Sequence, residues 1–319
     1  MMLPAATFKM IFSLTKARII NFLRLDTDTD YRNTILLSSL GRSGSTLVSN
    51  ILNYKNDYRI IFEPFKQEKV KLAADFIYPT YVDPSDTSES ISVSMHKILT
   101  GRVHSWWTDK PNEKIITTQR LIKDIYTNLM LGWIKKHYPE IPVILLIRNP
   151  FATIESWMRS EWGYLNPKKR VMAQRSLLEP LVPENVFCNY ERATSPLINH
   201  FYNWCINYYI PLKTLSDNEI FVTFYENYLE HPEVEVKKIF SYLNKPFNKK
   251  ALDKLKEFSF TTRKDSPLRK GENILFSWRK KYSEEEMNAC MDVLSQFGLD
   301  TLYDYYGSGL PSISFEYIK

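Results

Sequence analysis

A turn of small residues with one basic side chain lies between a predicted strand and a predicted helix. The segment Ser38–Thr46 reads Ser-Ser-Leu-Gly-Arg-Ser-Gly-Ser-Thr; it follows the apolar run Thr34–Ser38 and precedes the helical pattern Thr46–Tyr54. The backbone N–H groups of such a turn and the N-terminus of the helix after it attract anions. The sequence therefore predicts a phosphate-type anion site here.

This turn differs from the nucleotide-triphosphate pattern GxxxxGK[ST]. Ser45 stands where that pattern has its lysine, Ser39 stands where it has its first glycine, and the basic residue comes earlier, at Arg42. The most apolar run of the chain, Val143–Ile147, ends in Arg148 and not in a magnesium-binding aspartate. A loop that binds its anion without magnesium is favoured, and a P-loop kinase or NTPase is the alternative.

Strands and helices alternate along the chain in the manner of an α/β protein. We predict a single domain with a P-loop-like central parallel sheet and helices on both faces, spanning residues 31–319, after an N-terminal amphipathic helical segment at 1–30. Residues 160–192 are predicted to be irregular. The predicted strands are Thr34–Ser38, Tyr58–Phe62, Ile115–Lys123, Val143–Ile147 and Ile220–Phe224. The predicted helices are Thr46–Tyr54, Ile125–Tyr138, Phe151–Arg159, Leu197–Leu215, Pro232–Leu243 and Ser283–Gln296.

Composition excludes several classes of protein. Of the 319 residues 44% are hydrophobic, which is ample for a core and excludes a disordered chain. The net charge of +6 does not require a nucleic-acid partner, and no apolar run approaches the roughly 20 residues of a membrane span. The three cysteines show neither metal spacing nor a disulfide framework. We expect a cytoplasmic protein without a metal, without stable membrane insertion and without nucleic acid; the oligomeric state stays open.

Four motifs in order resemble the sulfotransferases that use 3′-phosphoadenosine 5′-phosphosulfate (PAPS). Gly41–Leu47 resembles their 5′-phosphosulfate loop, and Ile144–Pro150 with Ser156, eight residues after the arginine, resembles their 3′-phosphate motif. Phe224–Pro232 resembles the strand–YEDL–Pro segment of the family, and Arg269-Lys-Gly followed by a tryptophan resembles the C-terminal loop that closes over the nucleotide. The arginine in the first loop is closer to the carbohydrate, tyrosylprotein and bacterial members than to the cytosolic phenol and steroid enzymes.

The resemblance implies PAPS as sulfuryl donor, adenosine 3′,5′-bisphosphate (PAP) as product, and a set of nucleotide-binding residues. The spacing from Arg269 to Trp278 is longer than is usual in the family, so either Arg269 and Lys270 or Lys281 could bind the 3′-phosphate. The implied nucleotide-binding residues are Arg42, Ser43, Gly44, Ser45, Thr46, Leu47, Arg148, Ser156, Tyr225, Arg269, Lys270, Ser277, Trp278 and Lys281.

The resemblance and the chemistry of sulfuryl transfer also point to three catalytic residues. In-line transfer needs positive donors at the sulfuryl oxygens and a base for the acceptor proton. Arg42 and Lys123 are the candidate donors. Glu63, at the end of a predicted strand and 21 residues after Arg42, is the candidate base. His96 and His104 are its rivals.

The predicted function is transfer of a sulfuryl group from PAPS to a hydroxyl or amine of a small molecule, with secondary-metabolite biosynthesis as one setting. A carbohydrate or a peptide tyrosine is the alternative acceptor, and a catalytically inactive nucleotide-binding module is a further alternative. Acceptor loops are expected in 65–110 and 160–195. Their aromatic and acidic residues suggest a pocket for a cationic or polar acceptor; these are Trp106, Trp107, Trp162, Tyr164, Asp75, Asp83, Asp86, Glu89 and Glu161.

Overall fold

The computed structural model of this chain describes residues 25–26, 28–114, 116–160, 167–256, 275–306 and 308–311. Its centre is a five-stranded parallel sheet with the strand order β3-β5-β2-β6-β7, beside a two-stranded parallel sheet of β1 and β4. The strands are β1 (Leu25–Asp26), β2 (Thr34–Ser39), β3 (Tyr58–Phe62), β4 (Ile116–Thr117), β5 (Gln119–Asp124), β6 (Val143–Ile147) and β7 (Phe221–Phe224).

Helices follow most strands. They are α1 (Ser45–Leu52), α2 (Glu89–Leu99), α3 (Trp106–Asp109), α4 (Leu131–His137), α5 (Pro150–Met158), α6 (Lys168–Met172), α7 (Arg175–Leu178), α8 (Val186–Arg192), α9 (Pro196–Thr214), α10 (Tyr225–Glu230), α11 (Pro232–Tyr242), α12 (Lys250–Asp253) and α13 (Glu284–Gln296). Short 3₁₀ helices lie at Tyr31–Asn33, Lys71–Ala73, Asn128–Met130, Glu179–Leu181, Lys254–Lys256 and Arg279–Lys281.

The central sheet is covered on both faces, as the continuous apolar strands predicted. Alternate residues of one strand belong to different cores: Leu145 lies with the core packed by α2, α4, α5, α9 and α13, whereas Leu146 lies with the core packed by α1, α10, α11 and α12. Both side chains are fully buried. The predicted fold class, an α/β sheet covered by helices, is therefore confirmed.

Several predicted elements have different bounds. The run 115–123 is divided into β4 and β5, and the run 125–138 begins with a 3₁₀ turn before α4. Residues 167–192 are not irregular, because α6, α7 and α8 lie there. Residues 25–26 form a strand paired with 116–117, so the helical segment predicted for 1–30 is wrong at its end; its first 24 residues lie outside the described residues. The Ser283 capping box that starts α13 is present as predicted.

The parallel register brings the carboxyl ends of the strands to one edge of the sheet. Lys123 of β5 is the register partner of both Phe62 in β3 and Leu37 in β2, and Ser39 at the end of β2 is the partner of Leu146 in β6. Ligands of open α/β sheets bind outside this edge, at the point where the strand order reverses. Here that point is next to β2, the first strand of the central sheet in the sequence and its middle strand.

Candidate active site

The loop between β2 and α1 has the conformation of an anion-binding turn. Arg42 and Gly44 have positive φ values of 69° and 88°, and the N–H of Ser43 donates to the carbonyl of Leu40 at 3.3 Å. A Cβ atom on Gly44 would lie 2.2 Å from Cδ2 of Tyr225, so backbone and packing both require glycine at this position. The remaining loop residues of the prediction, Ser45, Thr46 and Leu47, form the first turn of α1.

Side chains from two other helices hold this loop in place. The indole Nε1 of Trp157 in α5 donates to the carbonyl of Gly41 at 2.9 Å. The hydroxyl of Tyr208 in α9 accepts from the backbone N–H of Leu40 at 3.1 Å and donates to the carbonyl of Leu146 at 3.0 Å. Tyr208 therefore ties the loop to the end of β6. The sequence predicted this helix but not the role of Tyr208, because nothing in an aromatic-rich helix distinguishes one tyrosine from its neighbours.

Arg148 and Ser156, which the family resemblance implies as nucleotide-binding residues, both lie against the loop. Nη1 of Arg148 donates to the carbonyl of Arg42 at 2.7 Å, and Nε of Arg42 donates to Oγ of Ser156 at 3.0 Å. The Arg148 guanidinium lies 4.8 Å from the ring centroid of Tyr225. Its Nε is buried and has no hydrogen-bond partner among the described residues. Residues from three separate sequence motifs thus lie together beside the loop after β2; they are Arg42, Arg148, Ser156 and Tyr225.

A buried carboxylate fixes the turn that carries Arg148. Oε1 of Glu226 accepts from the N–H of Asn149 at 3.0 Å, and Oε2 accepts from the Tyr303 hydroxyl at 3.1 Å. Burial raises the pKa of Glu226, and the hydrogen bond from Asn149 opposes that shift. The Asn149 side chain in turn accepts from Phe151 N–H at 3.0 Å and caps α5. Glu226 belongs to the Phe224–Pro232 motif, so the sequence had indicated the segment but not its contact with Asn149.

Glu63 and Lys123 form an ion pair at the same edge of the sheet. Oε1 of Glu63 lies 2.7 Å from Nζ of Lys123, and both side chains are buried. Glu63 follows β3 directly with a φ of 45°, and its N–H donates to the carbonyl of Lys123 at 2.8 Å. A positive φ is uncommon for a residue with a side chain and is found most often where the surroundings impose it. The backbone thus aims the carboxylate at the lysine.

Asp124, next to Lys123 in sequence, binds backbone N–H groups and not the lysine. Successive strand residues point to opposite faces, so Lys123 and Asp124 point apart. The Asp124 carboxylate accepts from the N–H groups of Tyr126 at 2.6 Å and Phe65 at 3.2 Å, which joins the segments after β3 and β5. Burial raises the pKa of this carboxyl to about 7, against the effect of those two hydrogen bonds.

The two histidines that rival Glu63 lie elsewhere. Nδ1 of His96 is 3.2 Å from the hydroxyl of Tyr138, which precedes β6. Nδ1 of His104 is 3.2 Å from Nη2 of Arg59, near the start of β3. Both histidines therefore contact residues near the amino ends of strands, whereas Glu63 lies at the carboxyl end of β3.

Of the five C-terminal residues predicted to bind the nucleotide, the structure describes three: Ser277, Trp278 and Lys281. Arg269 and Lys270 lie outside the described residues. Trp278 is buried, stacks on Phe151 with 5.0 Å between ring centroids, and donates from Nε1 to the carbonyl of Leu275 at 2.7 Å. Its described contacts are thus those of a core residue behind α5. Ser277 is half-buried and Lys281 is exposed.

The residues expected to line the acceptor pocket have different surroundings in the structure. Asp83 and Asp86 accept hydrogen bonds from Ser85 and Ser88 within their own turn, so both carboxylates have a local structural role. Trp107 lies beside Glu63 and donates from Nε1 to its carbonyl at 3.2 Å. Glu161, Trp162 and Tyr164 lie outside the described residues.

The residues that the structure describes contain neither a metal centre nor a membrane-spanning helix. No group of three or more His, Cys, Asp or Glu side chains there could hold a metal ion. Within the same ranges, none of the helices is long and apolar enough to cross a bilayer.

Comparison with known proteins identifies one family. Residues 32–292 match the family model described as a sulfotransferase domain. A sulfotransferase domain from the curacin biosynthetic pathway is 16% identical with a TM-score of 0.46, over 86% of this chain and 98% of that chain. The sulfotransferase domain of the Synechococcus PCC 7002 olefin synthase is 14% identical with a TM-score of 0.44, over 83% of this chain and 94% of that chain. Mouse sulfotransferase SULT7A1, complexed with PAP, is 14% identical with a TM-score of 0.45, over 87% of this chain and 88% of that chain. A search of curated proteins gives no match.

Proposed function

This chain belongs to the sulfotransferase domain family, and on that premise we propose that it transfers the sulfuryl group of PAPS to a hydroxyl or amine of a small-molecule acceptor. One observation carries the proposal: Arg148 and Ser156 both contact Arg42 of the loop, at 2.7 Å to its carbonyl and 3.0 Å to its Nε. The two segments that would bind the two phosphates of one nucleotide are thus in direct contact.

The residues present fit a nucleotide with two anionic ends. Arg42 and the loop of residues 43–47 would bind the 5′-phosphate end, through backbone N–H groups other than those of Ser43 and Leu47, which donate to the carbonyls of Leu40 and Gly44. Arg148 with Ser156 would bind the 3′-phosphate. The buried Nε of Arg148, without a partner among the described residues, supports this, because a buried cationic donor is costly unless an acceptor satisfies it. We infer that Ser156 exchanges its contact with Arg42 for the phosphate when the nucleotide binds.

Tyr225 and the C-terminal residues complete the proposed nucleotide site. The Tyr225 ring lies under Gly44 and beside Arg148, which supports a place next to the adenosine. Lys281 is exposed on the 3₁₀ turn Arg279–Lys281 and stays the alternative to Arg269 and Lys270 for the 3′-phosphate. Ser277 stays a proposed nucleotide-binding residue. Trp278 would act from the core by supporting the helix that follows Arg148.

Glu63, Lys123 and Arg42 would perform the transfer. PAPS, when bound, supplies the sulfuryl group and a phosphate leaving group. Glu63 would take the proton from the acceptor oxygen or nitrogen as the new bond to sulfur forms. Lys123 would donate to the sulfuryl oxygens and Arg42 to the leaving phosphate, where negative charge increases during transfer; one such donor is typically worth about 3 kcal/mol of barrier. The Glu63–Lys123 contact of 2.7 Å supports a shared position for base and donor.

Ligand binding and turnover test the proposal together. PAP at about 100 times its dissociation constant should stabilise the fold by about 2.7 kcal/mol, and Mg-ATP should not. Transfer from PAPS should persist in a chelator, because Ser45 replaces the triphosphate-binding lysine and β6 is followed by Arg148 and not by a magnesium-binding aspartate. Stabilisation by Mg-ATP but not by PAP would indicate the kinase or NTPase alternative instead.

The acceptor can be found in the same assay. Mass spectrometry of small-molecule, carbohydrate and tyrosine-peptide pools incubated with PAPS separates the three acceptor classes. Tight PAP binding without transfer to any pool would favour the inactive nucleotide-binding module.

A further inference from the structure

The left-handed backbone of Glu63 is held by hydrogen bonds on both sides of its Cα atom. Its φ is 45°, and its N–H donates to the carbonyl of Lys123 at 2.8 Å. Its carbonyl accepts from the N–H of Lys66 at 3.2 Å and from the indole Nε1 of Trp107 at 3.2 Å. A carbonyl oxygen has two lone pairs, so it can accept from both donors. The first two bonds belong to the strand pair and to the local turn, whereas Trp107 is 44 residues away in sequence.

Residues 105–112, which we call the brace, lie along the edge strand β3. Arg59 of β3 binds the Asp109 carboxylate through two nitrogens, Nε at 2.8 Å and Nη2 at 3.1 Å, and both side chains are fully buried. The Asn112 side chain donates to the carbonyl of Ile60 and accepts from its N–H, each at 2.7 Å. The brace therefore binds backbone groups at the edge of the sheet, where unpaired strand edges favour aggregation.

Trp107 makes a contact that covering the edge of the sheet does not need. Other residues of the brace bind β3 itself, whereas Glu63 is the first residue after that strand. The short helix α3 that carries Trp107 begins with a capping box at Ser105. The Trp107 ring also packs edge-on against Phe62, with 5.4 Å between ring centroids. The indole N–H is thus held in place from both sides and directed at the backbone of the candidate base.

The backbone conformation of Glu63 decides where its carboxylate lies. A residue with a side chain has a positive φ mainly where its surroundings impose it. A return to negative φ would turn the side chain away from Lys123, whose Nζ is 2.7 Å from Oε1 of Glu63. Since a general base must lie within about 2.6–3.2 Å of the group whose proton it takes, a small displacement is enough to slow proton transfer.

We propose that Trp107 is a positioning residue for the proposed base, because its indole N–H keeps Glu63 in the left-handed conformation that directs the carboxylate towards Lys123 and the acceptor. This inference rests on the proposed function. Trp107 acts through Glu63 and not on the nucleotide, since β5 lies between β3 and β2, the strand that precedes the loop with Arg42. Loss of the indole N–H therefore lowers turnover of acceptors that need a base and leaves PAP affinity unchanged.

Two acceptors separate a positioning role from a general loss of structure. 2-Phenylethanol must lose its proton during transfer, whereas 4-nitrophenol is largely ionised at alkaline pH. At saturating PAPS and one alkaline pH, Trp107→Phe should lower kcat for 2-phenylethanol about tenfold or more and change kcat for 4-nitrophenol less than about twofold. PAP affinity, measured by calorimetry, should stay within about twofold. Trp106→Phe, the exposed neighbour in α3, is the matched control and should change none of these values.

Combining two substitutions tests whether Trp107 acts through Glu63. In the Glu63→Gln background, Trp107→Phe should cause no further loss of turnover with 2-phenylethanol, because the carboxylate that the indole positions is absent. Independent effects on the rate would multiply.

Hydrogen exchange needs neither acceptor nor nucleotide. In NMR spectra of the isotope-labelled wild type, the indole N–H of Trp107 should exchange at least about tenfold more slowly than that of the exposed Trp106, because it donates to the Glu63 carbonyl. In Trp107→Phe, the backbone N–H of Glu63 should exchange faster by a similar factor. Thermal unfolding of each variant shows whether the fold is retained.

The outcomes distinguish the two proposals. A chain that neither binds PAP nor transfers sulfate contradicts the proposed function, whatever hydrogen exchange shows. In a chain that does both, the inference about Trp107 is overturned if Trp107→Phe lowers kcat equally for the two acceptors, leaves it unchanged for 2-phenylethanol, or multiplies with Glu63→Gln. It is also overturned if the indole N–H of Trp107 exchanges as fast as that of Trp106. This last comparison decides the matter where Trp107→Phe does not fold or neither probe is a substrate.

Discussion

The carboxylate of Glu63 and the ammonium group of Lys123 lie 2.7 Å apart in the interior, at the carboxyl ends of two adjacent strands. Removing one partner of a buried pair leaves the other charge uncompensated, at a cost of several kcal/mol. The pair is therefore both a structural unit and the proposed centre of proton transfer. An acceptor hydroxyl that approaches Glu63 also approaches the cation that would contact the sulfuryl oxygens.

Glu63→Gln should bind PAP normally but lose about 10²- to 10⁴-fold in turnover, because an amide keeps the volume and hydrogen bonding of the carboxylate but cannot take a proton. Turnover and PAP affinity are measured together, with the exposed Glu68→Gln as control. An aliphatic alcohol should be one acceptor, because a phenol could ionise unaided. If Glu63→Gln keeps turnover within a few-fold of wild type while His96→Asn or His104→Asn loses most of it, the base is misassigned.

Arg148→Ala should weaken PAP binding by about 10- to 100-fold, the effect of a lost charge-assisted hydrogen bond in a partly buried site. Binding of adenosine 5′-phosphosulfate should fall much less, because this nucleotide has no 3′-phosphate and loses only the support that Arg148 gives to the loop at Arg42. Calorimetry with both nucleotides makes the comparison, and Arg159→Ala, an arginine of the next helix end, is the control. Equal losses for the two nucleotides would contradict the assignment of Arg148.

Gly44→Ala should destabilise the fold more than Gly298→Ala. Both glycines have positive φ, at 88° and 66°, so both variants carry a left-handed backbone cost of about 1–2 kcal/mol. Only at Gly44 would the new Cβ meet a ring, that of Tyr225 at 2.2 Å, whereas Gly298 has nothing within 4 Å. Urea unfolding of the two variants measures the difference. Similar losses of stability would show that the Tyr225 ring does not pack under the loop.

Tyr208→Phe should lower the free energy of unfolding by about 1–3 kcal/mol and weaken PAP binding. It leaves the buried N–H of Leu40 and the carbonyl of Leu146 without their partner. Tyr209→Phe is the control in the same helix, since that ring packs half-buried against Phe297. Loss of stability without loss of nucleotide affinity would limit Tyr208 to a role in the core.

Asp124 should make stability depend on pH. Its folded-state pKa of about 7 is above the usual value of about 3.9, so the folded state favours the protonated form. The stabilisation is complete below pH 4 and decreases as the pH rises towards 7, by at most about 1.4 kcal/mol per pH unit. Asp124→Asn should be less affected over this range, as urea unfolding at pH 5 and pH 8 can show. Parallel pH profiles for the two proteins would mean that Asp124 titrates normally.

Local pattern was enough to predict the elements that carry the site. The strand before Leu40, the small-residue turn after it and the apolar strand before Arg148 all depend on residues close together in sequence. Backbone propensity and period decide such features, so they can be read before the fold is known. The family resemblance singled out Arg148 and Ser156 together, and the structure shows both in contact with Arg42, because a strand end and the next helix form one unit.

What the sequence could not decide is which distant side chains meet. The partner of Lys123 is Glu63 and not its neighbour Asp124, because the strand directs adjacent residues to opposite faces and the register of β3 with β5 chooses the carboxylate. The hydroxyl of Tyr208 reaches the loop because α9 crosses behind β6. Lys66 and Lys110, which are far apart in sequence, both lie over the ring of Trp107. By itself the sequence determined the family, the parallel sheet and the small-residue turn after β2. The tertiary structure alone decided the charge beside Glu63, since charges add in space, without regard to their order along the chain.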